Sequence, residues 1–305
     1  MNLMNHSREL VLYIDRLRLD RNISQDIFLE NIVSSRQYRR YLSGDSTLSY
    51  VVLDKLSKRL GYNAEFVIME VEAERIKHSF EIHTLYNAIA SKNKVSADMI
   101  LNEIKKHPIY LESNEMLYHH CLNMYDYHFS NSSQKSLIDK TKKLVGLDKL
   151  LLKKVLSTTE LLIMVTFFNL DQFEHIDLIA NKLESYLKND FIIVSGQNVK
   201  VIILVYEELS RYYSIRENYI KMYEYAIMGI NYANEVESIY MLEALYFFAG
   251  AASFELNELE RCKKYLIQCY TVLLSEDNLV KMASYKSFFK DAFDIDIAEE
   301  IRNLI

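Results

Sequence analysis

The sequence has little of what sheets are built with. Only six of its 305 residues are glycine and one is proline. Tight strand-to-strand turns draw heavily on those two residue types, so their scarcity argues for helices joined by short polar loops. The one proline, Pro108, follows Lys105 and Lys106 and is expected to separate two helices. Cysteine is scarce as well: Cys121, Cys262 and Cys269 are an odd number without metal-ligand spacing. Cys262 and Cys269 fall two helical turns apart, roughly 10 Å along an axis rising 1.5 Å per residue, too far for a disulfide within one helix. All three read as small core residues in a reducing compartment. No apolar run approaches the ~18 residues of a membrane-crossing helix, and the N-terminal MNLMNHSREL is polar, unlike a secretory signal. The chain is therefore expected in the cytoplasm, with no membrane partner.

Chemistry-bearing motifs are missing too. There is no P-loop, G-x-G-x-x-G, H-E-x-x-H or G-x-S-x-G. His119, His120 and His128 with Asp126 are the nearest thing to a metal set. Adjacent histidines diverge by about 100° on a helix, so His119 and His120 do not share a face. The paired acids Glu207-Glu208 and Glu299-Glu300 read as charged helix surface. The expectation is a protein that is not an enzyme and holds no metal or cofactor.

What is present is an ordinary globular composition, 50% hydrophobic and 26% charged, in a chain long enough for more than one domain. The charge is polarised. Residues 1–62 carry ten Lys and Arg against seven Asp and Glu, +3, so the remainder of this −6 chain carries −9. A small basic end on a larger acidic body implies two jobs in two domains.

The basic end reads as four helices. Leu10, Ile14 and Leu17, with Val11 and Leu19 beside them, give a helical stripe over Ser7 to about Asp20. Ser24 can cap a second helix with Gln25 and Asp26 in its first turn and Ile27, Phe28 and Ile32 as its apolar residues. A break is expected near Ile32-Val33. Ser34 and Gln37 then fit a capping box, opening a helix that runs to Leu42 and stops at Ser43-Gly44. A fourth helix spans Leu48–Leu60, with Val52, Leu53, Leu56 and Leu60 apolar, and Gly61 closes it. On a wheel at 100° per residue, Arg36, Arg39 and Arg40 share one arc of the third helix. Tyr38, Tyr41 and Leu42 share the opposite arc.

Two short helices joined by a tight turn, the second with a cationic outer face, describe a helix-turn-helix. Residues 13–63 resemble the Xre/Cro-like repressors. Ile23-Ser24-Gln25 matches the Leu-Ser-Gln that opens their second helix, Tyr38 and Tyr41 take the two buried recognition-helix positions, and Leu60-Gly61 takes the Leu-Gly that ends the fourth helix. The usual glycine of the turn is absent, and tyrosine twice replaces an aliphatic residue. The resemblance implies that Ser35, Arg36 and Arg40 face base edges, that Gln37 and Arg39 lie beside them, and that Gln25 meets backbone phosphate. Arginine suits the role because it donates a bidentate pair to guanine O6 and N7.

From Asn63 onward helical periodicity dominates. Residues 64–89 can run on as one helix. Polar breaks follow at SKNK (91–94), ESN (112–114), SNSSQ (130–134), NDF (189–191), REN (216–218), ANEVE (233–237), LNE (256–258) and SEDN (275–278). DFIIVSG (190–196) is one short strand-like run; VKVIILVYEEL after it is long enough for a buried helix. Shifting the chain by 40 residues lays 206–230 over 246–270. Ser210, Gly250, Ala226, Gly229, Cys262 and Cys269 then stand where paired helices approach closely. This resembles a degenerate tetratricopeptide (TPR) array with lengthened helices. Residues 159–187 give an earlier copy, with Asp171-Gln172-Phe173 standing like Glu217-Asn218-Tyr219 and Met164 where a small residue is expected. By TPR geometry Phe168, Asn169, Glu207, Arg211, Phe247, Ala251 and Phe254 face a concave groove suited to an extended peptide.

An all-α chain with an Xre/Cro-like helix-turn-helix followed by a TPR-like superhelix resembles the Rgg/PlcR/PrgX type of peptide-sensing transcriptional regulators, the RRNPP group, over essentially its whole length. That resemblance implies a DNA-binding domain at 1–65, a linker helix at 66–78 and a peptide-sensing, dimerising domain at 79–305. It further implies double-stranded DNA with a palindromic or repeated operator, a short signalling peptide and a homodimer. The alternatives are a DNA-binding regulator whose array binds a protein or only dimerises, and a TPR scaffold that does not bind DNA.

Overall fold

The computed structural model describes residues 3–106, 109, 112–170, 174–188, 197–275 and 279–302. Pro108, the DFIIVSG run and Asp171-Gln172-Phe173 lie outside the described residues. Among those described, all regular structure is helical, as seventeen α-helices and one short 3-10 turn. The chain divides into two compact units, residues 1–133 and 134–305.

The first unit begins with α1 (Leu3–Asp20), α2 (Gln25–Leu29), α3 (Ser35–Ser43) and α4 (Tyr50–Arg59). It continues through a 27-residue α5 (Ala64–Ala90), then α6 (Lys94–Ile104) and α7 (Glu112–Phe129). Five of these starts are fixed by the side chain of the residue before them, Asn93 doing so for α6. Ser24, Ser34, Ser49 and Asn63 each accept a hydrogen bond from a backbone N–H inside the first turn. Residues 64–89 do form one helix, as their periodicity predicts. Glu112, Ser113 and Asn114, by contrast, form the first turn of α7 rather than a break.

One core cluster gathers Leu10, Val11 and Ile14 of α1, Phe28 and Leu29 of α2, Tyr38 and Tyr41 of α3, Leu53 and Leu56 of α4, and Ala64, Val67 and Val71 of α5. Two residues depart from the sequence reading. Leu19 and Ile27 are 57% and 63% exposed, and Leu29 takes the buried place on α2. A five-residue helix presents too few turns for its inner face to be fixed by spacing alone.

The second unit contains α8 (Gln134–Val145), α9 (Leu147–Leu152), α10 (Thr158–Thr166), the 3-10 turn Phe167–Asn169 and α11 (Ile176–Leu187). Two longer antiparallel-type pairs follow: α12 (Gln197–Ile215) with α13 (Tyr219–Glu235), and α14 (Leu242–Glu255) with α15 (Leu259–Ser275). The chain ends in α16 (Leu279–Phe293) and α17 (Ile297–Arg302). The 40-residue overlay thus aligns helix with helix and turn with turn. Glu217 and Asn257 occupy the same left-handed conformation, at φ 55° and 59°, in the two matching turns.

The small residues do what the overlay implies. Ser210, Ala226, Cys262 and Cys269 are fully buried. A Cβ on Gly229 would lie 2.8 Å from both Leu245 Cδ2 and Tyr206 Cβ, and one on Gly250 would lie 2.8 Å from Leu266 Cδ2. Tyr206 Cβ is rooted in its backbone and yields little, so α13 itself must shift. Alanine gains about 1 kcal/mol in helix propensity over glycine, yet overpacking costs about 1–3 kcal/mol. Gly229→Ala is therefore expected to lower the thermal midpoint by a few degrees; an unchanged or raised midpoint in calorimetry contradicts this account of the α12–α13–α14 contact.

Candidate nucleic-acid interface and ligand site

Helix α3 is mounted by its tyrosines. Tyr38 is fully buried, Tyr41 is 7% exposed and Leu42 is half-buried against the same cluster. Arg36, Arg39 and Arg40 are exposed, on the other side of the helix. The wheel drawn from sequence therefore holds for all six side chains. Tyrosine in place of an aliphatic residue has a cause here. The Tyr38 hydroxyl donates to Asp15 Oδ1 on α1 at 3.0 Å. Arg18 Nε donates to the same carboxylate at 2.8 Å, and Arg18 Nη1 to the carbonyl of Ile23 at 2.7 Å. Burial and the Asp15 carboxylate push the Tyr38 phenol far above its usual range, so it stays a donor.

The missing turn glycine is also explained. Asn31 adopts the left-handed conformation, φ 58°, that glycine usually supplies. Arg59 Nη1, from the end of α4, donates to the carbonyls of Ile27, Phe28 and Glu30 at 2.8, 3.3 and 2.8 Å. Those carbonyls are the unpaired ones at the end of α2. Arg59 thus fixes the turn that aims α3, and sequence reading passed over it. At the far end of α3, Gly44 caps with φ 85° and Arg8 Nε donates to the Leu42 carbonyl at 3.1 Å.

Gln37 differs from expectation. Its backbone N–H donates to Ser34 Oγ at 3.2 Å, but its side chain donates to Ser46 Oγ at 2.9 Å and does not return to Ser34. The capping box is half formed because Ser46 competes for the amide. Arg39 Nε donates to the Ser35 carbonyl at 3.3 Å. The Arg36 and Arg40 side chains form no hydrogen bond or ion pair among the described residues, which leaves two cations free on one exposed arc. Gln25 and Ser35, each the first residue of its helix, are half-buried.

In the second unit, four of the residues assigned to a groove gather together. Arg211 Nη1 donates to Asn169 Oδ1 at 2.6 Å, Asn169 Nδ2 donates to Glu208 Oε1 at 3.2 Å, and Arg211 pairs with Glu208. Glu208 closes this network and was not foreseen. Its spacing of three from Arg211 on one helix was the available signal. Phe168 stands edge-on to Tyr212, with ring centroids 5.6 Å apart. Phe168 and Arg211 line a cleft of about 210 Å³ with Phe167, Leu170, Ile176, Tyr212, Ile215 and Arg216.

Glu207 and Glu208 are not the helix surface that their pairing implied: they are 9% and 5% exposed. Burial, then the charge of Glu208, pushes the Glu207 carboxyl up to about 8. Arg211 pulls in the opposite direction.

Phe247, Ala251 and Phe254 lie elsewhere. They pack on the cluster of Cys262, Leu266, Phe289 and Phe293, beneath α16. The Phe247 ring meets those of Tyr285, Phe288, Phe289 and Phe293, and Phe254 meets Phe293 at 5.1 Å. Beside Phe247 a second cleft of about 190 Å³ is lined by Ser284, Tyr285 and Phe288. The covering role of α16 was missed because it has no counterpart in the repeat overlay.

No protein-family model and no curated protein matches the chain. Solved structures do. The apo competence regulator ComR from Streptococcus vestibularis matches with a TM-score of 0.53 at 12% identity, covering 94% of this chain and 98% of that one. Apo PlcR from Bacillus thuringiensis gives 0.56 at 16% identity, with 91% and 99% covered. ComR from S. thermophilus in complex with DNA and its signalling peptide ComS gives 0.54 at 12% identity, with 91% and 97% covered. The chain thus has the fold of these regulators along nearly its whole length.

One consequence of the buried acid is measurable without a ligand. The folded protein holds the Glu207 proton more tightly than the unfolded chain, whose carboxyl titrates near 4.5. Stability from this group is therefore full below about 4.5 and falls as pH rises towards 8. Glu207→Gln should leave the unfolding free energy similar at pH 5 and raise it at pH 8, by on the order of 2 kcal/mol. Equal effects at both pH values contradict a neutral buried Glu207.

Proposed function

We propose that the chain is a sequence-specific DNA-binding transcriptional regulator controlled by a short signalling peptide. The carrying observation is α3: a helix fixed by two buried tyrosines that presents Arg36 and Arg40, free of partners among the described residues, on one exposed arc. In this reading residues 1–65 form the DNA-binding head, 66–78 the linker helix and 79–305 the peptide-sensing and dimerising domain. Arg36, Arg40 and Ser35 read base edges, with Gln37 and Arg39 beside them. Gln25, at the start of α2, meets phosphate where the N–H groups of a helix favour an anion. The Gln37–Ser46 hydrogen bond limits Gln37 to a supporting contact.

The similar fold of ComR in complex with DNA and its signalling peptide supports both partners, as does PlcR in complex with the peptide PapR7 and DNA, with a TM-score of 0.50. Phe168, Asn169, Glu207 and Arg211 make the polar and aromatic part of the peptide site. Phe247, Ala251 and Phe254 contribute through the α16 side of the array. A homodimer would carry two heads to half-sites one helical turn apart, or a multiple of it. Peptide shifts the dimer only if it binds one arrangement better than another.

The test is binding to labelled duplex DNA across a salt series. Wild-type affinity should fall steeply with salt. Arg36→Ala combined with Arg40→Ala, with its thermal midpoint unchanged, should lose at least about tenfold in specific affinity. Unchanged affinity and sequence preference in that variant overturn the assignment of the reading helix. Binding that does not respond to salt overturns the DNA reading itself.

A further inference from the structure

Among the described residues, one corner of the second unit's interior holds more carboxyl groups than cations to pair them. Glu207 and Glu208 stand side by side on α12, and Glu243 stands in the first turn of α14, which packs on α12. The three are 9%, 5% and 4% exposed. Two cations reach them. Arg211 pairs with Glu208, and Lys281 of α16 lies 2.7 Å from Glu243 Oε1. Glu207 is left over: among the described residues it has no hydrogen-bond donor and no cation within pairing distance. The second oxygen of Glu243, Oε2, is buried without a hydrogen-bond partner. Buried acceptors are ordinarily satisfied, and these two acids are near enough to feel each other's charge. A vacant buried acceptor on Glu243 beside the unpaired Glu207 carboxyl marks the seat of a donor that the described residues do not supply.

We infer that Glu207 and Glu243 receive a cationic group of the bound peptide, either its free N-terminal ammonium or a Lys or Arg side chain. The inference rests on the peptide reading above and names the chemistry that the site selects. Its polar surroundings fit. Arg211 stands one turn from Glu207 on α12 and is joined at 2.6 Å to Asn169 of the 3-10 turn; the two offer guanidinium and amide groups to a peptide backbone. The Phe168 and Tyr212 rings line the adjoining cleft and suit an apolar side chain.

Proton balance explains how an acidic interior tolerates the empty state. Without ligand, burial and Glu208 hold the Glu207 carboxyl at about 8, so near neutrality it keeps its proton. The groups that act on it are Glu208 and Arg211 on α12, Glu243 on α14 and the preceding Tyr240; Lys281 of α16 is held by Glu243, and Asn169 by Glu208. An arriving cation releases the Glu207 proton to solvent and takes its place, so the interior gains no net charge. Peptide affinity should then rise with pH up to about 8, by at most about tenfold per unit.

The experiment is affinity selection on the full-length protein with synthetic random octapeptides in three pools. One pool has free N-termini, one is N-acetylated but contains Lys and Arg, and one is N-acetylated and lacks both. Enrichment from either of the first two and none from the third is expected; which of the two enriches identifies the cation. Glu207→Gln, checked for an intact thermal midpoint, should lose at least tenfold in affinity for the enriched peptides. Enrichment from the third pool equal to the others, or unchanged affinity in Glu207→Gln, overturns this inference and leaves the peptide reading standing. An empty selection from all three pools overturns both.

Discussion

A tyrosine hydroxyl held on a carboxylate fixes the head of this protein. Tyr38 reaches from α3 to Asp15 on α1, and Arg18 ties that carboxylate to the Ile23 carbonyl, just ahead of α2. One small polar knot thus sets three helices against each other inside an otherwise apolar cluster. A buried phenol without an acceptor would be costly, and Asp15 removes that cost. With Tyr38 fixed, the rotation of α3 is fixed, and Arg36, Arg39 and Arg40 point away from the core. Arg59 adds the second constraint by closing the end of α2 across the turn. The displayed charge therefore depends on charge and hydroxyl groups that are not displayed.

The helical array is organised by close approach instead. Gly229 and Gly250 allow neighbouring helices to come within a distance that a methyl group would forbid. Their separation of 21 residues puts one on the second helix of a pair and the other on the first helix of the next, so the contact recurs along the stack. The tight apolar packing also isolates the few ionisable groups it encloses. Glu207, Glu208 and Glu243 are in surroundings where a charge needs a partner, and two cations pair with them among the described residues.

Much of this was readable from sequence, for identifiable reasons. The caps at Ser24 and Ser34, the stop at Gly44 and the inward tyrosines follow from local geometry, which the sequence carries residue by residue. The small residues of the repeats were readable because a 40-residue shift lines them up. What escaped depended on partners distant in sequence. Gln37 turned to Ser46 rather than to its own helix start. Glu207 and Glu208 looked like surface because charge is usually solvated, and the packing of neighbouring helices on α12 buries them. Leu19 and Ile27 were misplaced because a helix end and a five-residue helix give periodicity little to work with. Arg59 was one basic residue among ten in the first 62 until three carbonyls were seen around it.

The account's central claim is that α3 reads base edges through Arg36 and Arg40. Selection of bound duplexes from a random-sequence pool tests it most directly. The account predicts enrichment of a repeated or two-fold-related motif, with half-sites one helical turn or a multiple apart. It also predicts guanines in each half-site whose selection disappears when both arginines are replaced by alanine. A pool that stays random, or a motif that the double variant selects equally well, would contradict it.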